Sequence, residues 1–145
     1  MRIQGAHQLT TSRADLYRRL LSPEALRHCI PGCQRMEIVE PNVYEATMTV
    51  NTRVLRGVYT GTIRLSDVEP ETRFRIIVDG GGPGGSVHGD GVITLADGEE
   101  SGAILTFVGD LRLPGLLNLL GERMVAPVVH ELSGRFFRCL ESVDL

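Results

Sequence analysis

The chain has 145 residues, a length that fits one domain of ordinary size. Its 15 basic and 18 acidic side chains give a net charge of −3, which argues against a nucleic-acid-binding protein, since those carry a basic surplus. Aromatic residues make up only 5%, too few for a site built on aromatic stacking, and a hydrophobic fraction of 42% excludes wholesale disorder. We expect a single domain over residues 1–145.

The chain begins with a predicted strand followed by two short helices. Residues 2–10 alternate weakly between apolar and polar side chains, which predicts the strand. The pair Thr11-Ser12 predicts the N-cap of a first helix. Ser22-Pro23 predicts the start of a second helix, because it places a capping serine before a proline in the first helical position. This helix should end near Cys29.

From about residue 34, apolar residues recur at every second position, the pattern of half-buried strands. Turn signals such as Pro41-Asn42, 69–71 and Asp97-Gly98 separate six such runs. Short connections between consecutive strands favour an antiparallel meander. In the first long run the residues that share one face are Tyr44, Ala46, Met48, Val50 and Val54.

After Pro114-Gly115 the apolar residues recur at steps of three and four as far as Leu140. This spacing predicts one helix of about 28 residues, with Pro127 inside it and bending it. The predicted order is a strand, two short helices, six strands and one long helix. A curved antiparallel sheet of about seven strands needs its apolar face covered, and only the terminal helix is long enough to do so.

This order resembles the START-like helix-grip fold of the SRPBCC superfamily. The sequence is similar in particular to the CoxG family, the G-subunit family of carbon monoxide dehydrogenase, over essentially the whole chain. The most specific resemblance lies in Cys29-Ile30-Pro31-Gly32-Cys33, which follows Ser22-Pro23-Glu24-Ala25-Leu26. The other matching segments are Ile3-Gln4-Gly5, Tyr44-Glu45-Ala46, Gly57-Val58-Tyr59-Thr60-Gly61, Leu65-Ser66-Asp67 and the glycine-rich residues 80–91.

The resemblance implies an α+β helix-grip fold with a cavity between sheet and helix that takes a lipid or an isoprenoid quinone. It also implies an accessory role beside a carbon monoxide dehydrogenase-like molybdenum hydroxylase. We expect no cofactor. With no secretory leader in the sequence, we expect a cytoplasmic protein with at most peripheral contact with the inner face of the membrane. Relatives with a membrane role often carry an extension after the long helix, so direct anchoring is not expected for a sequence that ends at Leu145.

The candidate ligand-binding residues are the inward side chains of the strands and of the long helix. Tyr59 is the candidate for a polar contact with a ligand head group, because its ring can pack while its hydroxyl forms a hydrogen bond. The full set is Met48, Tyr59, Ile63, Phe74, Ile76, Ile93 and Phe107 from the strands, and Leu117, Leu120, Met124 and Val128 from the helix.

Several inward positions carry small residues where a core would normally hold large ones, namely Ala46, Gly61, Gly89, Gly91 and Gly109. Glycines allow a sheet to curve strongly, and small side chains also leave volume for an apolar ligand. Periodicity does not separate these explanations. We expect Gly61 to border the ligand volume.

Two motifs have plain structural interpretations. The glycines of 80–85 match the dinucleotide-binding pattern GxGxxG, but a strand pattern follows them instead of the required helix, so we interpret them as a strand connection, with a mobile lip over the cavity as the alternative. His28, Cys29 and Cys33 are too few for a zinc site. A low, odd cysteine count is typical of a reducing compartment, and we expect the cysteines to pack as small apolar groups.

The histidines do not define a catalytic centre. His88 and Asp90 share the polar side of a strand and should face solvent. His7 shares the inward side of the first strand, where it is either a structural residue or a polar contact for a ligand. Two other functions remain open, namely an enzyme such as a cyclase or hydrolase on this fold, and a protein-interaction module with a filled core.

Overall fold

The computed structural model describes residues 1–53 and 56–143, apart from the side chain of Leu116. These residues form seven strands and three α-helices in the order β1 (Arg2–Leu9), α1 (Arg13–Leu21), α2 (Pro23–Cys29), β2 (Cys33–Glu40), β3 (Val43–Asn51), β4 (Arg56–Glu69), β5 (Arg73–Gly82), β6 (Gly85–Asp97), β7 (Ala103–Arg112) and α3 (Gly121–Ser142). Two 3-10 helices, Glu99–Ser101 and Gly115–Leu120, precede β7 and α3. Val54, assigned above to a strand face, lies outside the described residues.

The strands form one antiparallel sheet in the order β1-β7-β6-β5-β4-β3-β2. The predicted meander is confirmed for β2 to β7, and β1 pairs with β7 to place the N-terminus on the far edge. One face of the sheet, here called the inner face, carries the apolar side chains of the alternating pattern and lies under α3. The opposite, outer face carries most of the polar ones.

Both predicted helix starts are present. The hydroxyl of Ser12 accepts a hydrogen bond from the backbone N–H of Asp15 (3.2 Å), and that of Ser22 accepts one from Ala25 (3.2 Å). Each satisfies one of the backbone donors that the first helical turn leaves unpaired. Pro23 occupies the first turn of α2, which ends at Cys29 as predicted.

The long C-terminal helix is present, but the segment predicted as one helix has two parts. A 3-10 helix over Gly115–Leu120 comes first, and α3 then runs for 22 residues. Gly121 separates them with a φ of +73°, a conformation that glycine adopts without steric cost. Pro127 lies inside α3.

The main hydrophobic core lies where α1, α2 and the last turns of α3 meet the inner face. Phe74 lies near the start of β5, Leu95 near the end of β6 and Leu105 near the start of β7, and all are buried there together with Leu140 of α3. A smaller cluster joins α2 to β2 and β3 around Leu26, Met36, Tyr44 and Ala46.

The structure corrects the expectation that all three cysteines are reduced. Cys29, the last residue of α2, forms a disulfide with Cys139 of α3, across a sequence separation of 110 residues. The bond is possible because the fold brings the ends of α2 and α3 side by side. Cys33 is free and half-buried.

Candidate functional site

An apolar cavity of about 320 Å³ lies between α3 and the inner face of β5, β6 and β7. Three of the predicted ligand-binding residues, Ile76, Ile93 and Phe107, line its sheet side. Val129 and Phe136 contribute to its helix side. Hydrocarbon groups from the sheet and from α3 therefore line a volume that the main core does not fill.

A second apolar cavity of about 280 Å³ lies over the inner face of β3, β4 and β5. Three more predicted residues, Met48, Tyr59 and Ile63, line it. Val78 and Val87 line both cavities. The two volumes therefore adjoin along the inner face and together extend from β3 to β7.

Five predicted residues do not line these cavities. Phe74 is 3% exposed and belongs to the main core. Leu117 and Leu120 lie in the 3-10 helix, where Leu120 is 40% exposed. Met124 is 51% exposed and, with Val128, borders a separate polar cleft. The apolar spacing predicted that Leu117 and Leu120 would continue the inward stripe of the long helix. Because the helix breaks at Gly121, these two residues lie in the preceding 3-10 helix and do not line the cavities.

Gly61 lines the smaller cavity, but a side chain at this position would not enter it. A methyl group at Gly61 would collide with the backbone of β5, at Asp79 and at 2.7 Å from the Cα of Gly80. Gly91 and Gly109, which pair across β6 and β7, also face neighbouring backbone closely. These glycines allow strands to approach each other.

Gly89 is different from the other inner-face glycines. A methyl group there would find its nearest neighbours at 3.8 Å, the Cβ of Val78, and 3.9 Å, a methyl of Leu111, which are ordinary van der Waals distances. Gly89 also lines the larger cavity. It is the inward glycine at which a side chain would enter unfilled volume.

The Tyr59 hydroxyl, assigned above to a ligand head group, donates its hydrogen bond to the backbone carbonyl of Pro83 (2.6 Å). Pro83 lies in the turn between β5 and β6, so Tyr59 fixes that turn beside the smaller cavity. β6 begins at Gly85, directly after the turn. The interpretation of the glycine-rich segment as a strand connection is therefore confirmed.

His7 packs against aromatic rings at the edge of the larger cavity. Its ring centroid lies 4.4 Å from that of Phe137 and 6.3 Å from that of Phe107. Burial, and secondarily the charge of nearby His130, lowers the pKa of His7, so the neutral imidazole is favoured. The contacts with these two rings fit the structural role.

The other predicted histidine site faces solvent as expected. On the outer face His88 contacts Asp79, and Asp90 forms a two-point ion pair with Arg75, with distances of 2.6 and 3.0 Å. The Arg75 guanidinium lowers the pKa of Asp90, first through its hydrogen bonds. The Asp90 carboxylate is therefore held ionised on the outer face, paired with Arg75.

Comparison with known proteins identifies the family. The family profile of the carbon monoxide dehydrogenase G-subunit (CoxG) matches residues 5–143. The chain belongs to this family. The CoxG family adopts the SRPBCC-like fold, in agreement with the sheet and long helix described above. A search of curated proteins found no match.

Solved structures share the fold of this CoxG family member over nearly its whole length. A conserved protein from Geobacillus kaustophilus is 26% identical, with a TM-score of 0.89, covering 97% of this chain and 93% of that one. A protein from Chromobacterium violaceum is 17% identical (TM-score 0.72; 98% and 99% covered). One from Mycobacterium smegmatis is 12% identical (TM-score 0.73; 97% and 88% covered). The latter two show the fold alone.

One feature of this CoxG member was missed by sequence reasoning. A polar cleft of about 530 Å³ lies between α3 and the ends of β3 and β4. It is lined in part by residues 123, 127, 131 and 135 of α3, which share one helix face at steps of four. That spacing was the sequence signal that could have predicted this helix face.

No described helix is both long and apolar enough to cross a membrane.

Proposed function

We propose that the chain binds an apolar small molecule, a lipid or an isoprenoid quinone, between the inner face of its sheet and α3. It does so as an accessory protein to a carbon monoxide dehydrogenase-like molybdenum hydroxylase. The proposal of ligand binding rests on the pair of adjoining apolar cavities, of about 320 and 280 Å³. Together they reach the size range of small-molecule sites, which begins at about 300 Å³. The partner part rests on family membership.

The cavities favour ligand binding over a filled interaction module. Protein interiors are close-packed, and voids larger than a water molecule are few. An apolar void has no polar partners to hold water, so it stays dry and accepts apolar ligands. Ile76, Ile93, Phe107 and Val129 line the larger cavity with hydrocarbon, which suits the binding of an apolar ligand better than proton transfer.

Gly89 offers a direct test, because a leucine there would project into the larger cavity. The matched control is Gly81→Leu, since a side chain at Gly81 has no neighbour within 4 Å. Gly81 is one residue beyond the inner-face position Gly80, so its side chain would stand on the outer face. Nile red, a neutral dye that fluoresces in apolar surroundings, serves as the probe, with decylubiquinone and oleyl alcohol as competitors.

We expect the wild type and Gly81→Leu to bind Nile red and to release it to both competitors. Gly89→Leu should keep the melting temperature of the wild type and lose at least tenfold in affinity. Equal binding by all three proteins, or no binding by the wild type, would contradict the proposed site.

A further inference from the structure

Four arginines line the polar cleft beside the apolar cavities. Arg53 follows the end of β3, Arg56 begins β4, and Arg123 and Arg135 come from α3. Glu131 is the one carboxylate among the described lining residues. The cleft is thus strongly basic in a chain whose net charge is −3.

These guanidinium groups are not neutralised by neighbouring carboxylates. Among the described residues, no ion pair within 4.0 Å joins any of the four to Asp or Glu, and Arg56 donates a long hydrogen bond (3.5 Å) to the Thr52 carbonyl. Arg13, Arg73 and Arg75, by contrast, each pair with a carboxylate. Like charges gathered in one cleft repel, and a bound anion would relieve that repulsion.

The cleft adjoins the apolar cavities through neighbouring residues of two elements. In β3, Val50 lines the smaller cavity and Asn51, the next residue, lines the cleft. In α3, Val129 lines the larger cavity and Val128 lines the cleft. The cleft and the cavities therefore lie next to each other, and a ligand long enough to extend past these residues would place its end near the arginines.

We infer that the ligand is an amphipathic lipid with an anionic oxygen head group, a carboxylate or a phosphate, bound by these arginines. The inference rests on the proposed function, and it selects the lipid over the neutral quinone. Guanidinium groups match both head groups geometrically, because their N–H donors form paired hydrogen bonds with carboxylate or phosphate oxygens.

The test compares probes that separate head group from chain: oleate, oleyl alcohol, free acetate and inorganic phosphate, each measured by calorimetry below micelle-forming concentrations. The wild type should bind oleate at least tenfold more tightly than oleyl alcohol, and added salt should reduce that preference, since salt screens exposed charges. Acetate and phosphate alone should bind far more weakly than oleate. Oleoyl lysophosphatidate then distinguishes phosphate from carboxylate as the preferred head group.

The double variant Arg123→Gln/Arg135→Gln should weaken oleate binding about tenfold and leave oleyl alcohol binding unchanged. Arg64→Gln/Arg112→Gln is the matched control, because it removes the same charge from exposed strand positions outside the cleft. If the α3 variant does not fold, Arg53→Gln/Arg56→Gln tests the opposite wall of the cleft.

The outcomes separate this inference from the proposed function. Equal affinity of the wild type for oleate and oleyl alcohol would overturn the inference alone, as would equal losses in the cleft and control variants. Free phosphate or acetate binding as tightly as oleate would also overturn it, because the hydrocarbon chain would then contribute nothing. Failure of the wild type to bind either long-chain probe would overturn the proposed function itself.

Discussion

The two ends of the sheet's inner face differ although the same strands form both. At the filled end, defined by Phe74, Leu95 and Leu140, large side chains pack to near-zero exposure beside the Cys29–Cys139 disulfide. At the open end, around Val87 and Gly89, the strands leave the adjoining cavities. Along β6 the inner face thus changes from the buried Leu95 to Gly89, which lines the larger cavity, within six residues.

The difference separates the part of the inner face that stabilises the fold from the part proposed to bind a ligand. α1, α2 and the last turns of α3 supply the contacts at the filled end, where close packing gives each side chain many neighbours. At the open end the lining side chains lack such neighbours on one side. The filled end can therefore hold the fold together while the open end keeps its volume.

The largest expected contrast compares one truncation at each end. Leu95→Ala should lower the free energy of unfolding by about 2–5 kcal/mol, because Leu95 is buried in the main core and lines neither cavity. Val87→Ala should lower it by less than about 1.5 kcal/mol, because Val87 borders an existing void. Urea denaturation measures both, and equal losses would mean that the two ends are packed alike.

The disulfide provides a second contrast within the filled end. Cys29→Ala/Cys139→Ala should lower the free energy of unfolding by about 2–4 kcal/mol, because the bond closes a long loop in the unfolded chain. Cys33→Ala is the control and should have little effect, since Cys33 is free. Thermal melts with and without reductant check this. A wild type insensitive to reductant would show that the bond does not contribute.

The smallest expected effect separates two glycines of the same face. Gly61→Ala should destabilise by about 1–3 kcal/mol, because its methyl group would collide with the β5 backbone. Gly89→Ala should be neutral or stabilising by up to about 1 kcal/mol, because alanine fits the space and reduces the entropy lost on folding. Chemical denaturation measures both, and the reverse order would refute the distinction between close approach and free volume.

Local sequence signals predicted the fold well. Alternation at every second residue predicted the strands, and Ser12 and Ser22 predicted the helix starts. Strands and helix caps can be predicted in this way because they depend on residues only a few positions apart. The long helix followed from its apolar spacing. The break at Gly121 did not, because glycine within an apolar stripe does not by itself show a positive φ.

The errors concern features that depend on distant parts of the chain. Gly61 and Gly89 have the same inward parity, and only the cross-strand pairing shows which one faces backbone. The bond between Cys29 and Cys139 requires knowing that α2 and α3 end side by side. The basic cleft joins arginines from the β3–β4 connection, from β4 and from α3, and no sequence spacing brings all of these together.

Occupation of the open end by an apolar ligand is tested most directly by native mass spectrometry of the protein purified from its own source. We expect a stoichiometric adduct of one lipid-like molecule on the wild type and on Gly81→Leu, and its loss from Gly89→Leu. A wild type without any adduct, or an adduct equally abundant on Gly89→Leu, would show that the open end is not the ligand site.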